Sequence, residues 1–565
     1  MSLFATIQQS ANALTVSQLG LDVTGNNIAN ANSPGYIRQE LIQTPAIGYR
    51  IGGITIGYGV RATGVVQKID QFLVDRMRST NSDLSAAEAQ GEVYTQIEAI
   101  FGELGDNDLS SQLSNFSNSI QDMLNQPGND ALRRLVIERG KSLTSQIRTL
   151  HQNVTTIADN VTQGIKDSAT EINRLTEQIA VLNRRVVEVE GGRTSGSDAV
   201  GLRDERMRVL DDLAKIVGIR AVEQPSGSVT VYVGGEYLVS DAIQRKVSFA
   251  LREDASGSHP EVRIADTDSA IQVSSGRLQG LYEAREGAAL GTLDSLNEFA
   301  HNLTEQFNRI HTQGQGLDGY ATLTSTNQTD DATAPLDLAV LPSKVSNGSF
   351  EISVLDLESG QSRATNIRVQ LTGGVYDSSL EDIRDQLSAV SGISASITSE
   401  GRLRIENTSP TLRFSFQNDT SGFLTAMGVN TFFQGDTAST ISINDAIIDN
   451  PRLLAASLSG VGGGTENAVK LAQAFEEPLA TLNGQSLKQN YEGIVVRTTQ
   501  DINVQQGVTD GLRNFYKTLE SQNLATSGVN LDEEAVKMIY YQRAFQASSR
   551  VIKAADELLD TLVNL

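Results

Sequence analysis

Between Leu143 and Val189 an apolar residue returns at nearly every alternating step of four and three: Leu143, Ile147, Leu150, Val154, Ile157, Val161, Ile165, Ile172, Leu175, Ile179, Leu182, Val186 and Val189. Only an α-helix with one buried stripe satisfies that spacing. One additional four-residue step, from Val161 to Ile165, reads as a coiled-coil stutter. A helix running from about Val136 to Val189 is on the order of 80 Å long at 1.5 Å per residue. That length suits a rod-like molecule better than a compact enzyme, and the stripe itself is expected to be ordinary intramolecular core.

Both ends of the chain are helical and the middle alternates. Ile7, Leu14, Leu21 and Ile28 recur at every seventh residue, with Leu3, Ser10, Ser17 and Thr24 between them, which is a seam for another helix. Between Met1 and Ile37 the only charged side chain is Asp22. A solvated helix normally carries charge on its outer face, so this one is expected to meet other protein through Gln, Ser, Thr and Asn. The helix should stop near Asn30, before a turn at Ser33-Pro34-Gly35. The last helix carries two adjacent stripes, Ala544–Val551–Leu558–Leu565 and Met538–Tyr541–Phe545–Ile552–Leu559–Leu562. A face that broad wants several partners.

Strand-like alternation is confined to the short segments Ile51–Ile56 and Val60–Val66, then to roughly Ile216–Leu281 and Phe350–Phe433, while the Thr-rich stretch from Gly314 to Ala334 reads as a linker. The fold class expected is therefore α+β and multidomain, with a terminal coiled coil and helical bundle carrying inserted β-rich domains. Its expected division is 1–36 with 526–565 as a terminal coiled-coil tube domain, and 37–215 with 286–315 and 455–525 as a long-helix bundle. Residues 216–285 would be one β-rich domain and 335–454 a distal one. The simplest topology is a hairpin in which the two termini pair.

Chemistry is hard to find in this chain. It has 565 residues, enough for several domains, but no cysteine, which removes disulfides, thiol nucleophiles and thiolate metal sites together. The formal net charge of −23 repels phosphate backbones and anionic lipid, so no nucleic acid and no membrane insertion are expected. The four histidines are His151, His259, His301 and His311. Glu298, His301 and Glu305 share a helical face, but solvated surface is the better reading than a metal trio. Gly462-Gly463-Gly464 lacks the context of a phosphate loop and reads as a flexible joint. No catalytic constellation, cofactor motif or metal set is expected, and the chain reads as a non-enzyme. MSLFATIQQS has neither a basic n-region nor an apolar h-region, so no cleaved secretory signal is expected.

Two segments carry a family resemblance. Asn26-Asn27-Ile28-Ala29-Asn30-Ala31-Asn32-Ser33-Pro34-Gly35-Tyr36, followed by Arg38 and Gln39, resembles the N-terminal signature of bacterial flagellar rod, hook and hook-associated proteins, in the form typical of the hook-associated members. Ser527-Gly528-Val529-Asn530-Leu531-Asp532-Glu533-Glu534-Ala535, with Tyr541-Gln542-Arg543-Ala544-Phe545-Gln546-Ala547 and the run Ala555 to Leu562, is similar to their closing helix. Gly57-Tyr58-Gly59-Val60 with Asp70, Phe72 and Leu73, and the run Asp419 to Gly435, also look like them. Ser33 and Phe545 depart from the more frequent Thr and Tyr.

The resemblance implies an extracellular structural subunit at the hook–filament junction, exported by the flagellar type III system without a cleaved signal. It implies four kinds of neighbour: the hook protein, a second hook-associated junction protein, copies of the same chain in a ring, and an export chaperone on the C-terminal helix. The residues expected at subunit contacts are Leu3, Ile7, Leu14, Leu21, Ile28, Asn26, Asn27, Asn30 and Asn32 at one end. At the other they are Tyr541, Phe545, Val551, Ile552, Leu558, Leu559, Leu562 and Leu565. A hook or rod subunit shares this terminal architecture and is the alternative. An intracellular coiled-coil scaffold would explain the helices but not the uncharged polar seam.

Overall fold

The computed structural model describes residues 3–33, 35–51, 54–102, 108–191, 199–254, 257–374 and 376–563. The chain divides into two compact units, residues 1–92, 160–285 and 503–565 in one and 93–159 and 286–502 in the other. Among the described residues no helix is long and apolar enough to cross a membrane.

In the first unit the termini pair as helices, Leu3–Ala29 against Leu531–Val563. After the first helix come antiparallel strands Gln39–Pro45 and Val60–Gln67, with a bulge between Ile42 and Gln43 and a short hairpin, Tyr49–Ile51 with Ile54–Ile56, between them. The helix Val200–Ile216 leads to a four-stranded sheet whose strands lie in sequence order, and then to a three-stranded sheet centred on Gly257–Ile264. One buried side chain ties sheet to helix. Asn183 donates to the carbonyls of Val229 and Asp241, and accepts from the Val229 N–H and from buried Arg206. All of its hydrogen-bonding capacity is used, which is what burial of an amide requires.

The long helix predicted from periodicity runs from Asp130 to Val189, six residues earlier than the apolar stripe suggested, because Asn129 and the turn Gln126–Asn129 start it. Its 60 residues extend about 90 Å at 1.5 Å each. Leu143, Ile147, Val154, Ile165, Ile179 and Val186 are buried, as the stripe required, while Val189 is exposed at the end.

The second unit has two apolar centres. Phe116, Phe307, Phe432, Phe433 and Phe475 stack edge-on and offset, with ring centroids 4.9–6.0 Å apart. A Cβ on Gly140 of the long helix would fall 2.9 Å from Ile443 Cδ1 and 3.2 Å from Phe432, so only glycine admits that close approach. The distal centre joins the sheets Ser362–Val369/Gly348–Asp356/Leu412–Gln417 and Thr322–Thr324/Leu403–Asn407/Ile393–Ile397 to the helix Leu380–Ser388. That helix begins with a reciprocal Ser379–Asp382 capping box.

The stretch read as a linker, Gly314 to Ala334, is not one. Thr322–Thr324 pairs with Arg404–Glu406, and Gln315, Ser325 and Thr329 are buried. Its hydroxyls close on backbone: Ser325 accepts from the Leu403 N–H and donates to the Asn327 carbonyl. Polarity mimicked a linker because here Ser and Thr complete backbone hydrogen bonding in an edge strand.

His311 is fully buried, with Nδ1 2.8 Å from the Asn430 carbonyl and Nε2 accepting the Ala455 N–H at 3.0 Å. Burial pushes its pKa down to about 4, Asn430 working weakly against this and Arg133 with it. A depressed folded pKa means stability that is full above the unfolded value of ~6.5 and lost as pH falls towards 4. The wild type should lose up to about 3 kcal/mol relative to His311→Gln between pH 6.5 and 4. Urea unfolding of both proteins across that range checks this, and parallel curves would refute it.

Candidate assembly interface

The first helix ends where the sequence indicated. Asn30 donates back to the Asn26 carbonyl at 3.0 Å and to its side chain at 2.7 Å, and the Ser33 N–H closes on the Asn30 carbonyl. Gly35 takes φ +71°, and a Cβ there would lie 2.8 Å from Arg208 Cδ. The turn therefore needs glycine for its conformation, and Arg208 would have to shift to admit a side chain there. Pro34 lies outside the described residues. Asn26 is exposed, and Asn32 lines an open crevice with Tyr36, Arg78, Arg208 and Leu524.

Asn27 is wholly buried and makes four hydrogen bonds. Its amide donates to the Gln39 carbonyl at 2.9 Å and to Glu534 Oε2 at 3.0 Å; its oxygen accepts from the Gln39 N–H at 2.9 Å and the Tyr36 hydroxyl at 2.8 Å. Arg38 reaches the same carboxylate, Nε to Oε1 at 2.8 Å and Nη2 at 2.7 Å, and its Nη2 also meets Glu533. The Glu534 side chain is 1% exposed and that of Arg38 7%, so this is a buried ion pair. Burial alone would raise the Glu534 carboxyl, but Asn27 and Arg38 hold it below its usual range. The Arg38 N–H also donates to the Ser527 carbonyl, so backbone and side chain both bind the two ends of the chain together.

The interface between the first and last helices is made of small residues on one side and large ones on the other. Ser10, Val16, Ser17, Gly20, Val23, Thr24 and Asn27 form the buried part of the first helix. A Cβ on Gly20 would fall 2.5 Å from the Tyr541 ring, so the ring occupies the space that glycine leaves. The Tyr541 hydroxyl accepts from Gln43 at 3.3 Å. The heptad seam Leu3, Ile7, Leu14, Leu21 and Ile28 is only half-buried, at the edge of this contact, and the polar positions between its members lie deeper.

The two stripes of the last helix part company. Met538, Tyr541, Phe545, Ile552 and Leu559 are half-buried and share the inner face with buried Glu534 and Ala555. Val551 and Leu558 stand open with Val536 and Tyr540, Leu558 at 57% exposure and Tyr540 at 67%. Leu562 lies within the helix without a described side chain, and Leu565 is outside the described residues. Reading the sequence for apolar stripes missed Gly20, Arg38 and Glu534 as parts of this site. A signal existed: Arg38 is the first cation after an almost charge-free segment, and Asp532-Glu533-Glu534 opens the last helix.

Away from the ends, His301 Nε2 sits 3.4 Å from Glu305, whose hydrogen bond raises the imidazole pKa despite burial. That is an i, i+4 pair on a half-exposed helix surface.

Comparison with known proteins separates the readings that the shared terminal architecture leaves open. Residues 7–36 match the flagella basal body rod protein family and residues 520–565 the C-terminal family of the flagellar basal body rod FlgEFG proteins, as rod and hook proteins also would. The flagellar hook protein FlgE of Escherichia coli is 46% identical over 57 residues, only 10% of this chain. Residues 94–324, by contrast, match the helical domain of the flagellar hook-associated protein FlgK. Flagellar hook-associated protein 1 of Salmonella typhimurium is 24% identical with 99% of both chains covered, and that of Bacillus subtilis 23% with 100% of this chain and 98% of its own. The fold resembles that of the flagellar hook junction protein FlgK from Burkholderia pseudomallei, at a TM-score of 0.52, 14% identity, 80% of this chain and all of that one. Matches that span both ends and the interior in one order agree: the chain is a structural protein of the bacterial flagellum, similar along its whole length to flagellar hook-associated protein 1.

Proposed function

We propose that the chain joins filament to hook, as one of several identical copies in a ring, and that the paired terminal helices are its assembly element. The observation that carries this is the uncovered stripe Val536, Tyr540, Val551 and Leu558, which runs along the last helix opposite no part of the described chain. A helix that leaves one apolar stripe in water while burying another is built for further helices. In a ring of copies those helices are the neighbours' ends, with the hook protein on one side and a second hook-associated protein on the other. Before assembly the same stripe needs a cover, which fits an export chaperone on the C-terminal helix and passage through the flagellar type III channel. The chain acts by contact and not by catalysis.

A strain lacking the gene tests the placement. Electron microscopy is expected to show complete hooks without filaments, with flagellin in the medium. Absence of the hook itself would favour the rod or hook reading, and normal filaments would refute both.

A further inference from the structure

We propose that Asn27, Arg38 and Glu534 form a register lock, which selects one sliding position of the first helix along the last and fixes that pair to the strand after it. The lock concerns the single chain, so it stands or falls independently of the ring proposed above.

Beyond the seat of Tyr541 on Gly20, the helices have little else to choose a register with. The first presents Ser10, Ser17, Gly20 and Thr24, and the last presents apolar side chains at near-heptad repeats. Away from that seat, small residues against a repeating stripe pack comparably after a slip of one turn, because burial is non-directional. The polar network is not forgiving in this way. A slip of one turn moves Glu534 about 5.4 Å along the axis and breaks its bonds to Asn27 and Arg38 together. Arg38 cannot follow, since its N–H is held by Ser527 and its carbonyl by the Lys68 N–H. Asn27 cannot follow either, since both atoms of its amide group bind the Gln39 backbone. Every wrong register therefore parts a buried guanidinium from the carboxylate that meets it, and leaves Glu534 with only the half-exposed Lys537 of its own helix. A buried ion pair adds little net stability over apolar residues of similar size, and its best attested use is to fix register. The close seat of Tyr541 on Gly20 marks the register selected.

The absence of cysteine makes cross-linking a clean ruler. The full-length protein would carry Gly20→Cys with Tyr541→Cys, the in-register pair. Two offset pairs would carry Gly20→Cys and Tyr541→Ala with either Met538→Cys or Phe545→Cys. With the lock intact, a short bis-maleimide should join the in-register pair at least about tenfold faster than either offset pair. Replacing the lock with Asn27→Leu, Arg38→Met and Glu534→Leu should bring the three rates within about twofold while circular dichroism still reports the terminal helices. The milder Arg38→Gln with Glu534→Gln should fall between, and it covers the case in which the apolar replacement fails to fold. A tenfold preference that survives in either replaced protein overturns the lock, as does a lack of preference in the original. Loss of the terminal helices in both replaced proteins would show a stability element in place of a register selector, and overturns it too.

Discussion

Glu534→Ala is expected to melt the terminal helix pair of the isolated protein while the interior stays folded. The substitution leaves the Arg38 guanidinium, 7% exposed, with only the solvent-facing Glu533, and it takes from Asn27 one of its four hydrogen bonds. Removing one partner of a buried pair costs about 3–5 kcal/mol, because the surviving charge stays desolvated. The pair has little to set against that. Its buried apolar side chains are few (Val16, Val23 and Ala555), and helices without packing are marginal in water. The interior has its own apolar centres, the phenylalanine cluster and the sheets of the second unit. Limited proteolysis should therefore remove roughly the first and last forty residues of the variant within the time that leaves wild-type ends largely intact. Glu534→Gln, which still accepts from Asn27 and Arg38, should lie between. Equal protection of wild-type and alanine ends would show that the ion pair contributes nothing to holding the termini. The same logic gives a pH effect: a carboxyl held below its usual range lends stability above that range, lost as pH falls through the folded value, so acid below the ordinary carboxylate range should loosen the ends.

Leu558→Asp is expected to abolish assembly with almost no effect on the isolated chain, the reverse pattern. Leu558 is 57% exposed, so a carboxylate there finds water and the purified protein should unfold within about 0.5 kcal/mol of wild type. In the proposed ring the same position is covered by a neighbouring helix, and an aspartate in an apolar contact costs several kcal/mol unless it finds water or a partner. The penalty recurs in every copy, so incorporation at the hook tip should fail and flagellin should be shed. Export must be measured first, since a chaperone that grips the same stripe would be disturbed as well. A variant that is secreted normally and still supports full-length filaments would remove the open stripe from the assembly contact.

The two substitutions differ because the two stripes of the last helix have different fates, and that difference was only half legible. Periodicity identified both stripes and the width of the face, since the helical repeat puts residues seven apart on one side. What covers each side is a property of distant chain. The same limit explains the first helix. Its heptad of Leu and Ile was visible, yet the deeper positions are Ser10, Ser17, Gly20 and Thr24, because the large inner residues of the last helix need small ones opposite them. Hydrophobicity ranks residues by what they would gain from burial, not by the room the partner leaves.

From the sequence alone follow the long middle helix, the pairing of the termini, the strand-rich middle, the stop of the first helix before Gly35 and the likeness to flagellar axial proteins. All of these rest on local periodicity, on turn chemistry or on motifs read in order. Tertiary structure decided the rest. It folded the Thr-rich stretch after Gly314 into a sheet, gave Tyr541 the space at Gly20, and left Leu558 open. It also joined Arg38 to Glu534, residues from opposite ends of the chain. Charge and spacing mark such residues as unusual, but only three-dimensional proximity pairs them, because a buried ion pair is defined by what surrounds it and sequence distance carries no information about that.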